Sequence, residues 1–191
     1  MINIIKDKDP IFYTNEYDVI LVGTSIYCML TNGFQNKIKN KFPIADELND
    51  KTNYGDLRKL GKRLTIENKP IISLMYICKY PNKSRVTVDY NALENAIATA
   101  NSEFNGKKVL CTIAGSSIYD GNGDKDKIMD IIKNNSDKLD LTIFDYIQKD
   151  KNKEIQEVYK KIAELKKTDR PKSDELWANK DTVLKKLFLI P

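Results

Sequence analysis

Two glycine-containing loops and one lysine carry the groups that could bind or transform a ligand. The first loop spans residues 23–34 and follows the apolar run 18–22, whose composition predicts a buried strand. Glycine lets a ligand approach the backbone closely, and a helix predicted to begin near Asn32 and Gly33 presents unpaired N–H groups to an anion. The pattern indicates either a phosphate-binding loop or a tight turn that caps a helix.

The second loop, residues 114–127, also lies between a β-branched run and a predicted helix. Its glycines and serines make it flexible and rich in hydrogen-bond donors, which suits a loop that wraps a diphosphate. Its acidic residues invite comparison with a calcium loop. Counting from Asp120, however, places Lys125 where an EF-hand needs glycine and Ile131 where it needs glutamate. Calcium is therefore not expected, and the sequence predicts no metal site.

Lys79 directly follows the most apolar run of the chain, residues 71–78. A lysine held against apolar walls gives up its proton more readily and can act as a nucleophile or a base. It can equally be a solvated charge that emerges at the end of a strand. The residues alone leave both interpretations open.

The elements that must position these groups alternate along the chain. Short apolar, β-branched runs predict strands at residues 18–22, 64–66, 71–78, 109–114 and 139–146. Helical spacing falls between them, at Leu93, Ala96, Ile97, Ala100 and Phe104 and again at Ile128, Ile131 and Ile132. Strands that alternate with helices predict an α/β fold with a largely parallel or mixed sheet covered on both faces.

The composition excludes several classes of enzyme. The chain has no histidine, which removes the serine-histidine and cysteine-histidine hydrolases, the two-histidine phosphodiesterases and the usual zinc enzymes. Any catalysis must therefore use carboxylates, lysine, tyrosine or the substrate itself. The three cysteines, Cys28, Cys78 and Cys111, are widely spaced among apolar neighbours, which predicts reduced core thiols.

The length of 191 residues predicts one domain with an appendage. We expect a nucleotide-binding domain in residues 1–148 and a helical extension in residues 149–191. No apolar run approaches the roughly 20 residues that cross a bilayer, so no membrane association is predicted. The first ten residues lack the continuous apolar core of a secretory signal, and we expect a cytoplasmic protein.

The extension carries most of the net charge. It holds twelve basic and eight acidic residues, which is +4 of the net charge of +5, so the main body is close to neutral. This distribution argues against a basic nucleic-acid groove on the body. Two amphipathic helices are predicted in the extension, for packing or for a contact between copies of the chain, with a partner-binding or nucleic-acid-binding face as the alternative. Heavy use of Lys, Asn and Ile indicates a bacterial or phage source.

The order of these pieces resembles a macrodomain. The resemblance rests on "YDVILVGTS", "TNGFQNKIKNKFP", "PIISLMYICK" and "VLCTIAGSSIYDGNGD", which occur in that order within residues 1–146. The chain looks most like the branch that contains the terminal ADP-ribose protein glycohydrolases and the ADP-ribose-1″-phosphate processing proteins, and like macrodomain-type proteins of phages.

The resemblance implies a three-layer α/β/α fold that holds ADP-ribose across both loops, with no further cofactor. It places the adenine-recognising carboxylate at Asp9 or Asp7. It also places the nucleophilic lysine of the glycohydrolase branch at Lys79, assisted by an aspartate within one residue of Asp120. The implied ligand-binding residues are Gly23, Thr24, Ser25, Asn32, Gly33 and Phe34 in the first loop and Gly115, Ser116, Ser117, Ile118, Tyr119 and Gly121 in the second.

The chain departs from the family pattern in both loops, because the first keeps only Gly33 of a Gly-x-Gly and the second has Ser116 and Ser117 after Gly115. Nucleotides related to ADP-ribose, including NAD-derived and cyclic ones, are therefore also expected ligands. Three hypotheses follow. The first is binding of such a nucleotide, by a sensor or by a phage protein that sequesters a defence signal; the second is hydrolysis of an ADP-ribosyl bond. Nucleic-acid binding through the basic extension ranks third.

Overall fold

A computed structural model of the chain describes residues 1–31, 33–80, 85–117 and 121–146. Among these residues, six strands form one sheet in the order β1-β6-β5-β2-β4-β3. All neighbouring strands run parallel except β3, which is antiparallel to β4. The strands are β1 (Ile2–Lys6), β2 (Val19–Ser25), β3 (Arg63–Ile66), β4 (Ile71–Cys78), β5 (Lys108–Thr112) and β6 (Asp140–Asp145).

Four α-helices and two short 3-10 helices connect the strands in the described residues. The α-helices are α1 (Gly33–Lys41), α2 (Pro43–Asp50), α3 (Tyr90–Glu103) and α4 (Lys125–Asn134), and the 3-10 helices span Pro10–Glu16 and Leu57–Lys59. Local sequence explains where several of them begin. Pro43 suits the first turn of α2, since that position needs no N–H donor. Asp89 and Asp124 cap α3 and α4 by accepting from the N–H groups of Ala92 and Lys127.

The sheet separates two hydrophobic cores because successive side chains of a strand point to opposite faces. Val19 and Leu21 of β2 pack with α3 and α4 on one face. Ile20 and Val22 of the same strand pack with Ile38 of α1 on the other face, together with α2. This arrangement confirms the predicted three-layer α/β/α fold with a mixed sheet.

The sequence runs identify five of the six strands. The exception is β1, an edge strand in which four of five residues are exposed, so its residues show neither an apolar run nor a clear alternation. The predicted helical pair in residues 149–191 lies outside the described residues, and the division of the chain at residue 148 stays a prediction. None of the described helices is long and apolar enough to cross a membrane.

Candidate functional site

The two predicted loops follow neighbouring strands. We call residues 26–32 loop L1 and residues 113–124 loop L2; L1 follows β2, and L2 follows β5. The two strands pair in parallel, with Val19, Ile20 and Leu21 opposite Val109, Leu110 and Cys111. Both loops therefore start at the same edge of the sheet, at the carboxyl ends of adjacent strands.

The loops then leave toward opposite faces of the sheet. L1 leads into α1, whose Ile38 is buried with Ile20 and Val22. L2 leads into α4, whose Ile128 is buried in the core on the other face. In an open α/β sheet, adjacent strands whose connections diverge in this way create a crevice at their carboxyl ends, and ligands bind in such crevices. We call the region between L1 and L2 the crevice.

Gly23 of β2 packs tightly against β4 and the start of L2. A Cβ atom at this position would lie 2.7 Å from Cδ1 of Ile77 and 2.8 Å from Cβ of Ala114. Gly23 is buried, so packing alone accounts for its lack of a side chain. Thr24, also buried, donates a hydrogen bond from Oγ1 to the carbonyl of Met29 at 3.3 Å and thereby fixes the path of L1.

Ser25 ends β2 with an unsatisfied hydroxyl. The residue is 1% exposed, and its Oγ has no hydrogen-bond partner within the part of the chain that the structure describes. A buried hydroxyl without a partner is costly, and proteins keep few of them. Ser25 Oγ is thus a polar atom at the base of L1 that a ligand or a water molecule could satisfy.

The first turn of α1 is open and carries no acidic residue. Gly33 has a φ of 56°, in the left-handed region, and a Cβ there would meet nothing within 4 Å. The left-handed backbone conformation therefore explains why this residue is glycine, and crowding by neighbouring atoms does not. Phe34 is half-buried beside it, and Asn32 lies outside the described residues.

The glycines of L2 have a different role. A Cβ atom would lie 2.7 Å from Val88 Cγ2 at Gly115, 2.9 Å from Val88 Cβ at Gly121 and 2.4 Å from Val88 Cγ1 at Gly123. The carbonyl of Gly121 also accepts hydrogen bonds from the N–H groups of Thr87 and Val88, at 2.7 and 3.1 Å. These glycines allow L2 to pack tightly on the segment before α3, whether or not a ligand is bound.

The serines of L2 lie closer to solvent. Ser116 is half-buried and donates from Oγ to the carbonyl of Ile113 at 2.7 Å, whereas Ser117 is exposed. The Ser117 carbonyl accepts from the N–H groups of Gly121 and Asn122, at 3.2 and 2.8 Å. The predicted residues Ile118, Tyr119 and Asp120 lie outside the described residues.

The two candidate adenine-binding carboxylates differ in their contacts. One oxygen of Asp9 accepts from the N–H of Ile11 at 3.2 Å, and the other forms an ion pair with Lys37. Asp7 is exposed, with a φ of 57°, and its N–H donates to the carbonyl of Asp145 at 3.2 Å. A ligand at Asp9 would have to share a carboxylate that already holds a lysine.

Lys79 follows β4 and is exposed. It lines a groove of about 490 Å³ that also contains Tyr80, Thr87, Tyr90 and Lys127. Nζ of Lys127 lies 4.0 Å from the centre of the Tyr90 ring, a cation–π contact. The structure thus places Lys79 beside the start of α3, in a groove that Val88 helps to line while the same residue supports L2.

Sequence reasoning missed the residues that support the loops. Val88, which packs on three glycines, stands in the segment "VTVDY" without any feature that marks its role. All three cysteines are buried and free, as the sequence predicted. In the described residues, no group of three or more Cys, Asp or Glu side chains is placed to hold a metal ion.

No family model and no curated protein matches this sequence. Solved structures do match. The macrodomain of Mycobacterium tuberculosis DarG superposes with a TM-score of 0.61 at 10% identity, over 75% of this chain and 97% of that one. The described part of the chain has the macrodomain fold. The resemblance seen in the sequence is thereby confirmed for the fold.

Two further matching structures were solved in complex with nucleotides. Thermosipho africanus DarTG in complex with ADP-ribose matches with a TM-score of 0.59 at 10% identity, over 74% of this chain and 41% of that one. A Trypanosoma brucei macrodomain in complex with ADP matches with a TM-score of 0.56 at 13% identity, over 78% of this chain and 65% of that one.

Proposed function

We propose that the protein binds ADP-ribose, or a related NAD-derived or cyclic nucleotide, in the crevice between L1 and L2. One observation carries this proposal. The chain leaves the carboxyl ends of the adjacent parallel strands β2 and β5 toward opposite faces of the sheet. Ligand sites of open α/β sheets lie at such a point.

The two helix N-termini at the crevice differ in how they suit an anion. In α4, Asp124 caps the helix and Asp126 lies in the first turn, so the chain supplies its own negative charge. In α1, the first turn has no acidic residue, and the space in front of Gly33 is open. The partial positive charge of a helix N-terminus favours anions, which makes α1 the better position for a phosphate group.

Ser25 supports the same location, because its buried hydroxyl at the start of L1 lacks a partner among the described residues. Ser116 and Ser117 supply further polar groups on the L2 side. The nucleotides in the Thermosipho africanus and Trypanosoma brucei structures support the ligand class.

Calorimetry with two charge variants tests this proposal. Asn36 lies in the first turn of α1 and Asn40 in its last, so N36D and N40D add the same charge at opposite ends of one helix. We expect the wild-type protein to bind ADP-ribose or one member of a panel of ADP, cyclic ADP-ribose and cyclic dinucleotides. N36D should weaken that binding by about five- to tenfold through repulsion of the phosphates, and N40D should leave it within about twofold.

If N36D and N40D changed the nucleotide affinity equally, the N-terminus of α1 would not be part of the binding site. Failure of the wild-type protein to bind any nucleotide in the panel would overturn the proposal as a whole. Far-UV circular dichroism of both variants checks that the helix is retained.

A second candidate function is hydrolysis of an ADP-ribosyl bond. It is favoured by the position of Lys79, which follows β4 directly and lines a groove large enough for part of a substrate. In this reaction the neutral amine would attack the anomeric carbon of the ribose, the bond to the modified group would break, and water would release the ribose from the lysine. Asp120, the predicted assistant, lies outside the described residues.

Release of ADP-ribose from a protein modified on carboxylates separates catalysis from binding alone. K79A should abolish release while retaining nucleotide binding, whereas K127A removes a lysine of the same groove and should retain both. If the wild-type protein binds ADP-ribose but releases none, the protein is a non-catalytic sensor or a sequestering protein, such as a phage would use against a defence signal.

A further inference from the structure

A buried lysine and a buried cysteine are in contact beneath L1. Cys28 is 7% exposed and Lys59 is 9% exposed. Nζ of Lys59 donates to Sγ of Cys28 at 3.0 Å, and it also donates to Oγ1 of Thr52 at 2.7 Å and to the carbonyl of Asn53 at 3.2 Å. The two residues are far apart in sequence, so this contact joins L1 to the segment before β3.

The surroundings of Lys59 are unusual for a buried cation. Its hydrogen-bond partners are a thiol, a hydroxyl and a carbonyl, and its Nζ lies 4.3 Å from the centre of the Tyr76 ring. Among the ion pairs of the described residues, none includes Lys59. A buried charge without a counter-charge is unfavourable, and among the groups that contact it Cys28 carries the sulfur that can be oxidised.

Tyr76 does not compete for that role. Burial raises the pKa of its phenol above the usual value, so the group stays protonated at neutral pH. Its hydroxyl accordingly donates to Oδ1 of Asn49 at 2.9 Å. Tyr76 thus supplies no counter-charge to the Lys59 amine.

The environment of Cys111 is different. Burial alone raises the pKa of Cys111 to about 12, which keeps its thiol protonated and unreactive. Its Sγ donates to the carbonyl of Thr112 at 2.9 Å. Cys78 is fully buried in β4, and its Sγ donates to the carbonyl of Thr24 at 3.8 Å. Cys28 lies in a loop, with a φ of 57°, and its Sγ accepts a hydrogen bond from the amine of Lys59.

We infer that Cys28 and Lys59 are a modification site at which hydrogen peroxide forms a covalent bond between the two side chains. Peroxide converts the thiol to a sulfenic acid and releases water. The neutral amine then attacks the sulfur, the S–N bond forms and the S–O bond breaks, and the hydroxyl leaves as water with one amine proton. A second peroxide inserts an oxygen atom, which gives an S–O–N bridge and one more water.

The bond would fix L1 to residue 59. A covalent link between distant residues restricts the unfolded chain, so the oxidised protein should melt at a higher temperature than the reduced one, and a thiol reductant should reverse the change. This inference depends on the contact and not on the proposed nucleotide, because the cross-link can form in the absence of any ligand.

Peptide mapping by mass spectrometry of the full-length protein tests the inference. After treatment with hydrogen peroxide, we expect the peptides that contain Cys28 and Lys59 to be joined, with the loss of two hydrogen atoms or with that loss and one added oxygen. Dithiothreitol should separate them. K59R keeps the positive charge but removes the nucleophilic amine, so it should give no link, and C111S should form the link as the wild type does.

The inference would be overturned if Cys28 of the wild-type protein were oxidised without attachment to Lys59, or joined to another cysteine in a disulfide. It would also be overturned if Cys28 survived treatment that oxidises Cys111. Because these outcomes are read on the wild-type protein, the test does not depend on the folding of any variant.

Discussion

L1 and L2 start side by side but use glycine for opposite purposes. Where L1 ends, Gly33, the first residue of α1, adopts a left-handed backbone conformation beside open space. In L2, Gly115, Gly121 and Gly123 are crowded against Val88. L1 is therefore shaped to leave room at the N-terminus of α1, whereas L2 is shaped to pack on the protein itself. Glycine content alone does not distinguish a ligand loop from a tightly packed one.

The largest difference between the loops should appear on adding a single methyl group. G121A places a Cβ 2.8 Å from the Gly115 carbonyl oxygen at a φ of 155°, so backbone atoms must move. We expect it to lower the free energy of unfolding by roughly 3 to 5 kcal/mol. G33A meets no atoms and should cost only about 1 to 2 kcal/mol, from its left-handed conformation. Urea denaturation of both variants measures the difference; equal losses would contradict the distinction between the loops.

The strand that leads into L2 contains a cysteine whose pKa is raised by burial. Cys111 in β5 has a pKa of about 12 in the folded protein, against 9.0 for an unperturbed thiol. The folded state therefore keeps this proton longer than the unfolded state. The contribution of the protonated thiol to the free energy of unfolding is fully present below pH 9. It is lost as the pH rises toward 12, by about 1.4 kcal/mol per pH unit.

The variant C111A isolates this effect, since all other titratable groups are present in both proteins. Above pH 9, the free energy of unfolding of the wild type should fall more steeply with pH than that of C111A, by about 1.4 kcal/mol per pH unit. Parallel curves from urea denaturation at several alkaline pH values would show that Cys111 is not protected in this way.

Because L2 packs on Val88, substitutions at Gly123 and Val88 should have non-additive effects on the free energy of unfolding. The Cβ of G123A would lie 2.4 Å from Val88 Cγ1, a clash that V88A relieves. The double variant should therefore be more stable than the sum of the single effects predicts, by about 1 kcal/mol or more. Additive losses in denaturation experiments would mean that Gly123 is required for another reason.

The smallest effect concerns L1. S25A removes a buried hydroxyl that has no partner among the described residues, so the ligand-free protein should gain up to about 1 kcal/mol of stability. If the hydroxyl contacts the ligand, the same variant should bind ADP-ribose about fivefold more weakly. Thermal unfolding measures the change in stability, and calorimetry measures the change in affinity for ADP-ribose. A loss of stability would show that Ser25 already has a partner in the free protein.

Much of the fold could be read from the sequence because buried strands and helix faces leave periodic patterns. The apolar run that forms β4 and the spacing of Leu93, Ala96 and Ile97 in α3 are examples. The edge strand β1 could not be read in this way, since most of its side chains are exposed. Only the parallel pairing of Ile2–Lys6 with β6 in the structure identifies this strand.

The candidate site was less predictable than the fold. The order of elements placed L1 and L2 after apolar strands, but the packing of Val88 on the L2 glycines depends on residues far apart in the chain. The contact between Cys28 and Lys59 is of the same kind, because nothing in either local sequence indicates the other residue. Glycine-rich sequence thus located the loops and could not assign their roles.

Nuclear magnetic resonance titration with ADP-ribose tests the central claim most directly, because backbone amide shifts report each residue separately. If the nucleotide binds in the crevice, the largest shifts should belong to Gly33 and Phe34 at the start of α1 and to Ser116 and Ser117 in L2. Shifts confined to the groove of Lys79, Tyr90 and Lys127, or spread without preference over the surface, would contradict the claim.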